Sequence, residues 1–230
     1  MDKWPEKLVI VRHAQSEVNI ARERLEQFHS DALEVKIKKE IRDADIKLTP
    51  LGEEQACKTG AGLKKEFGSF DIAFVSPYAR TQQTAEYILR GMDCKPDYRL
   101  EERLREKEFG SVSHLTKKGI AKYFPHEYAR LQLEGKYYFR PPGGESYPDV
   151  NLRVYSALNS ILRSAVGKSA LVVTHSVVVK SFRKTIEHQT EQEVLMIDKV
   201  DDVKNCGVTT YSFDKKTGKM KLDYYNKTFY

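Results

Sequence analysis

Short apolar runs, each cut off by a polar or charged cluster, set the rhythm of this chain. Leu8 to Val11 is four consecutive apolar residues, three of them β-branched, which predicts a strand covered on both faces, as in the middle of a parallel sheet. Phe70 to Val75 and Ala170 to Val173 predict two more buried strands. Between them the period lengthens. Thr49 as N-cap and Pro50 at the first position open a helix that runs to about Phe67. Ser76-Pro77 reads as the N-cap and first-turn proline of a helix to Leu89, closed by Gly91. Val150, Val154, Leu158, Ile161, Leu162 and Ala165 share one face of a helix that begins at Pro148 and ends at Gly167. Another helix follows from Val177 to about Glu187. Val208 to Phe213 and Met220 to Tyr225 alternate around Asp214-Lys215-Lys216-Thr217-Gly218, the pattern of a hairpin completing a sheet edge.

Strands alternating with helices predict an α/β fold, a three-layer α/β/α sandwich around a mostly parallel sheet. No repeat or linker divides the chain, so residues 1–230 are expected to form a single domain. Two stretches stand outside the alternation. Residues 20–47, including the run Glu34 to Arg42, are highly charged and read as a solvated excursion. Ser111 to Pro148 turns irregular and aromatic, with Tyr123, Tyr128, Tyr137, Tyr138 and Tyr147 among Lys117, Lys118, Lys122 and Arg140. That insertion is expected to be either a partial lid over a site or a purely structural cap. Gly60 and Gly62 fall inside a helical pattern and are not a dinucleotide loop.

Composition narrows the partners. The chain carries 39 Lys and Arg against 33 Asp and Glu, a formal charge of +6, and interspersed acids of this number argue against a nucleic-acid groove. No aromatic-basic platform for stacking bases is present. A small anionic substrate fits the modest positive excess. Cys57, Cys94 and Cys206 lie far apart, without metal-ligand pairing or a disulfide framework, which points to structural thiols in a reducing compartment. The apolar run near the start is too short for a signal-peptide core and no run approaches a membrane span, so a soluble, cytoplasmic protein is expected. Nothing in the sequence fixes an oligomeric state.

The chemistry lies where the strands end. Open α/β sheets bind ligands outside the carboxyl ends of their strands, and the first strand stops at Arg12 and His13. The second leads into Ser76, with Arg80 in the next helix's first turns, and a third ends at Thr174-His175-Ser176. Taken singly, each has a plain structural reading: a satisfied polar pair, a surface ion pair, a core histidine. Converging on one rim, two arginines, two histidines and helix N-termini make an electropositive pocket suited to a phosphoryl group. A Walker loop, a His-Glu-x-x-His helix and a Gly-x-Ser-x-Gly elbow are absent from the sequence, which disfavours nucleotide-triphosphate, zinc-hydrolase and serine-acyl chemistry.

Arg12-His13-Ala14-Gln15-Ser16-Glu17-Val18-Asn19 resembles the Arg-His-Gly motif of the histidine phosphatase superfamily, in the branch containing cofactor-dependent phosphoglycerate mutases and fructose-2,6-bisphosphatase. The resemblance continues through Asp45 to Gly52, Val75 to Ala85, Leu104 to Gly110, Gly143-Gly144-Glu145-Ser146 and Val173 to Ser176. It implies that His13 is the nucleophile, that Arg12, Arg80 and His175 hold the phosphoryl oxygens, and that Asn19 adds a phosphate contact. It also implies that Glu106 exchanges the proton with the leaving oxygen and the attacking water; nothing local singles Glu106 out from its acidic neighbours. In that scheme His175 would serve best as a cation. No metal and no cofactor are implied. Ala14 stands where the family usually has glycine, and Ser176 follows His175 where glycine is also common.

The implied activity is a metal-independent phosphomonoesterase acting on a small phosphate ester. The family's mutases are the nearest alternative. Their longer insertion after the acid glutamate carries an Arg-rich and Pro-rich stretch that residues 107–143 lack, which favours the phosphatase. A noncatalytic phosphate-binding module is the third reading, and the complete catalytic set argues against it.

Overall fold

The computed structural model describes residues 4–28 and 41–230. Among these lie six strands in one sheet, ordered β3-β2-β4-β1-β5-β6. They are β1 (Lys7–Arg12), β2 (Ile72–Val75), β3 (Asp97–Leu100), β4 (Ser169–Thr174), β5 (Val208–Asp214) and β6 (Lys219–Lys227). The first four places in the sheet are parallel, while β5 pairs antiparallel with β1 and with β6. The expected mixed, mostly parallel sheet with a terminal hairpin is what forms.

Strand side chains alternate between two faces, and each face has its own core. Leu8, Ile10, Ile72, Phe74, Ala170 and Val172 pack on one side against α6 (Tyr147–Ser164) and α7 (Ser176–Glu187). Val9, Val11, Ala73, Val75, Leu171 and Val173 pack on the other against α2 (Pro50–Phe67) and α3 (Ala79–Met92). Leu8 to Val11 are completely buried, as a central strand between two helical layers must be.

Local signals set most boundaries. Thr49 caps α2 by accepting from the Gly52 N–H, with Pro50 at the first turn. The side chain of Ser146 and that of Asp149 cap α6 reciprocally. Elsewhere the sequence expectation needs correction. Ser76 does not cap α3, which starts at Ala79, because its hydroxyl is taken by His175. Nor does Gly91 close that helix; Asp93 does, in the left-handed conformation. Residues 111–148 are largely helical rather than irregular, with α4 (Lys117–Tyr123) and α5 (Pro125–Tyr138), the latter broken at Gly135. The charged excursion begins as a helix, α1 (Glu17–Phe28), and ends in a short turn at Asp43–Asp45. Most of the run Glu34 to Arg42 lies outside the described residues. A last helix, α8 (Glu191–Val200), follows α7. No helix among the described residues is long and apolar enough to cross a membrane.

Candidate active site

Adjacent strands β2, β4 and β1 end at one rim, and each hands side chains to it. His13 is 4% exposed, and its Nδ1 lies 2.8 Å from the carbonyl oxygen of Ala14. A carbonyl only accepts, so Nδ1 carries the proton and Nε2 keeps its lone pair. The His13 N–H donates to the Thr174 carbonyl (2.8 Å), and its own carbonyl accepts from Asn205 Nδ2 (3.1 Å). The imidazole therefore hangs from a backbone fixed on both sides.

His175 meets His13 edge-on, with ring centroids 5.2 Å apart, and Tyr78 packs on it at 5.1 Å. Burial, then Arg80 and Arg12, hold the His13 imidazole well below its ordinary pKa. Burial, then Arg80 and His13, do the same to His175. Both rings are neutral near pH 7 in the free protein. Without a bound anion, desolvation and two neighbouring arginines disfavour a further positive charge on His175.

The fixed cations are Arg12 and Arg80. Arg12 Nη1 donates to the Val203 carbonyl, and Asp202 lies within electrostatic reach. Arg80 is 3% exposed and lies over the Tyr78 ring. Asp43 grips it, accepting from Nη1 at its carbonyl (2.6 Å) and from Nη2 at its carboxylate (2.9 Å). The ion-pair reading and the rim reading of Arg80 thus describe one guanidinium. Arg12 Nε, Arg80 Nε and His175 Nδ1 are buried and meet no hydrogen-bond partner among the described residues. Buried polar nitrogens are ordinarily satisfied, and three orphans in one electropositive cluster fit an oxyanion.

Asn19 sits in the first turn of α1. Its Oδ1 accepts from the Ser16 N–H (3.0 Å), the Ser16 hydroxyl (2.9 Å) and Asn205 Nδ2 (3.2 Å), which orients the amide and leaves its NH₂ as a donor. Glu106 is half-buried, and its Oε1 accepts from the Lys107 N–H at 2.8 Å. Arg12 lies within its electrostatic reach, so the structure brings Glu106 to the same cluster as the strand-end residues.

Alanine is accommodated at position 14. It is completely buried, its φ is not positive, and its N–H donates to Thr84 Oγ at 3.0 Å. The glycine that this loop does require is Gly52: a Cβ there would meet the Gln15 carbonyl oxygen at 2.0 Å. Ser176, the other departure, donates to Asp202 at 2.9 Å and opens α7.

Several supporting roles are not legible in the sequence, that of Glu145 among them although it lies in the Gly143-Gly144-Glu145-Ser146 motif. Arg153, on α6, donates to the carbonyls of Arg103 (2.7 Å), Arg105 (2.8 Å) and Glu106 (3.1 Å), and to both carboxylate oxygens of Glu145. Glu145 in turn accepts from the Glu108 N–H (3.0 Å) and from Arg105 (3.0 Å). Together they clamp the loop that carries Glu106. Lys180, nearly fully buried, pairs with Asp198 and Asp202, while Tyr147 and Lys136 also donate to Asp198, tying the aromatic arm to α7 and α8. Among the described residues no three His, Cys, Asp or Glu side chains gather as a metal site.

The profile of the histidine phosphatase superfamily, branch 1, matches residues 8–226. A 2,3-bisphosphoglycerate-dependent phosphoglycerate mutase of Rhizobium etli is 33% identical over 199 residues, covering 83% of this chain and 85% of its own. A candidate alpha-ribazole-5'-P phosphatase of Escherichia coli superposes with a TM-score of 0.76 at 19% identity, covering 97% of both chains. The phosphoserine phosphatase of Entamoeba histolytica, solved with 3-phosphoglyceric acid, gives 0.71 at 23% identity, covering 96% of this chain and 97% of its own.

Proposed function

The chain belongs to the histidine phosphatase superfamily, branch 1, and from that membership we propose that it is a metal-independent phosphomonoesterase hydrolysing a small phosphorylated metabolite through a phosphohistidine on His13. The observation that carries the reading is the 2.8 Å contact between His13 Nδ1 and the Ala14 carbonyl oxygen, which assigns the proton to Nδ1. With Nδ1–H committed to the Ala14 carbonyl, the lone pair on Nε2 is available in a cluster of two arginines and His175.

In the proposed reaction Nε2 attacks phosphorus, the ester P–O bond breaks, and the departing alcohol oxygen takes the proton of a protonated Glu106. Water then attacks phosphorus, gives its proton to the Glu106 carboxylate, and the N–P bond breaks. Inorganic phosphate leaves, and His13 and Glu106 return to their starting states. Arg12, Arg80 and Asn19 supply fixed donors to the phosphoryl oxygens, where charge is spread in the transition state. His175 donates as a neutral imidazole or gains a proton when the phosphate dianion arrives. The whole chain works as one domain, and its three free thiols suit the reducing cytoplasm.

Mutase activity is the second reading, favoured by the Rhizobium etli relative. Against it stands the arm between Glu106 and Gly143, which lacks an Arg-rich and Pro-rich stretch. The two readings separate in one incubation with 3-phosphoglycerate, catalytic bisphosphoglycerate and excess chelator. Free phosphate as the main product is expected. Efficient isomerisation with little free phosphate would establish the mutase instead, and turnover abolished by chelator would exclude metal independence.

A further inference from the structure

The loop after Glu106 leads to a histidine at the edge of the site. His114 is a non-glycine residue with φ of +65°, in the left-handed region that few non-glycine residues occupy and that histidine enters less rarely than most. Its loop is tightly anchored. Gly110, at the preceding turn (Gly110–Val112), lies so close to the arm that a Cβ would meet the Pro142 carbonyl oxygen at 2.1 Å. The Ser111 N–H also donates to that oxygen. His114 is thereby held half-buried, within electrostatic reach of Asp43, Arg22, Arg80 and Glu108.

Asp43 is the carboxylate bonded to Arg80, and Arg22 lies over the Phe109 ring at 5.8 Å. His114 thus belongs to the rim around the phosphate-facing cluster, on the side of the loop that bears Glu106. Neither of its ring nitrogens meets a hydrogen-bond partner among the described residues. A strained backbone retained at the edge of a site, carrying an uncommitted donor and acceptor, is the arrangement expected of a residue that contacts ligand. Burial holds the imidazole below its ordinary pKa, so it is neutral and presents one N–H and one lone pair. A hydroxyl group, itself donor and acceptor, is its natural complement. The flanking guanidinium of Arg22 and carboxylates of Asp43 and Glu108 extend the same hydrogen-bonding surface.

Building on the phosphatase reading, we propose that His114 is a specificity-determining residue that hydrogen-bonds a hydroxyl on the alcohol portion of the substrate, so that the enzyme prefers phosphate esters of hydroxylated alcohols. The test compares glycerol 1-phosphate with propyl phosphate, two esters whose leaving alkoxides are of one kind and which differ in hydroxyl groups. The quantity read is the ratio of their kcat/KM values in wild type, His114→Gly and His114→Asn, alongside thermal melting of each protein. Glycine relieves the left-handed backbone, so its melting temperature is expected to equal or exceed that of wild type while the ratio falls at least tenfold. Asparagine tolerates the same backbone and keeps a polar group, and is expected to recover part of the ratio.

A wild type with no preference for glycerol 1-phosphate would overturn the assignment, as would a ratio in His114→Gly within twofold of wild type, including a parallel loss on both esters. Absence of wild-type turnover on both esters would instead count against the phosphatase reading, and this inference would fall with it.

Discussion

The clamp on the Glu106 loop yields the sharpest stability prediction. Replacing Arg153 by methionine keeps most of the side-chain volume but removes the guanidinium. Arg153 and Glu145 are only 10% and 13% exposed, so the substitution strands a carboxylate in a poorly solvated place. Three backbone carbonyls, of Arg103, Arg105 and Glu106, lose their donor as well. Removing one partner of a buried ion pair costs about 3–5 kcal/mol. Arg105 remains bonded to Glu145 at 3.0 Å and is 40% exposed, which places the expected loss near the low end, about 3 kcal/mol. For a chain of this length that is roughly a 6–12 °C fall in Tm.

Urea and thermal unfolding measure the loss directly, and Glu145→Gln with the double variant closes a cycle. Because the stranded charge causes most of the damage, Arg153→Met in the Glu145→Gln background should cost markedly less than in wild type. The kinetic signature is a loss of kcat that is larger for glycerol 1-phosphate than for p-nitrophenyl phosphate, since the nitrophenolate leaves without needing a proton from Glu106. A melting temperature within about 2 °C of wild type, under roughly 1 kcal/mol, would refute the clamp.

Three further expectations follow from the site. His13 and His175 are buried and neutral, so below pH 6.5 the unfolded chain takes up protons that the folded one does not. Stability is then full above pH 6.5 and falls as pH drops toward the folded values, by up to about 1.4 kcal/mol per pH unit for each histidine. Urea unfolding between pH 7 and 5.5 should show a steeper loss for wild type than for His13→Asn/His175→Asn, and equal slopes would contradict the neutral assignment. Ala14→Gly, restoring the residue usual in the family, should destabilise by about 1 kcal/mol through chain entropy and a lost buried methyl, with little change in kcat. A more stable or many-fold more active variant would show that alanine strains the loop. Ser76→Ala removes the hydroxyl 2.8 Å from His175 Nε2 and should raise KM more than it lowers kcat; an unchanged KM would detach Ser76 from the phosphate site.

The rim itself was legible because its residues follow short, β-branched-rich apolar runs whose length suits buried strands rather than helices. Leu8 to Val11 leads straight to Arg12 and His13, and Ala170 to Val173 to His175. The supporting shell was hidden for a physical reason. Arg153 and Glu145 look like the polar face of a helix and a loop acid, and only tertiary packing buries them. Ser76-Pro77 carried a good capping signal that lost to a hydrogen bond with a residue 99 positions away. Strand β3 gave too little pattern to read, since Asp97-Tyr98-Arg99-Leu100 alternates over only four residues, all of them exposed at the sheet edge. In α5 the helical period is obscured by the break at Gly135 and by Leu133, which is 87% exposed. Helix α8 is different: its capping box, Thr190 with Glu193, was present in the sequence and sufficient to find it.

The proposed chemistry requires a covalent bond to one nitrogen of His13. Rapid quenching of the enzyme with a ³²P-labelled phosphomonoester, followed by peptide mapping, tests it most directly. One label per chain on the peptide containing His13 is expected, stable in alkali, labile in acid and absent from His13→Ala. Turnover without labelled protein, label on another residue, or undiminished hydrolysis by His13→Ala would contradict the account.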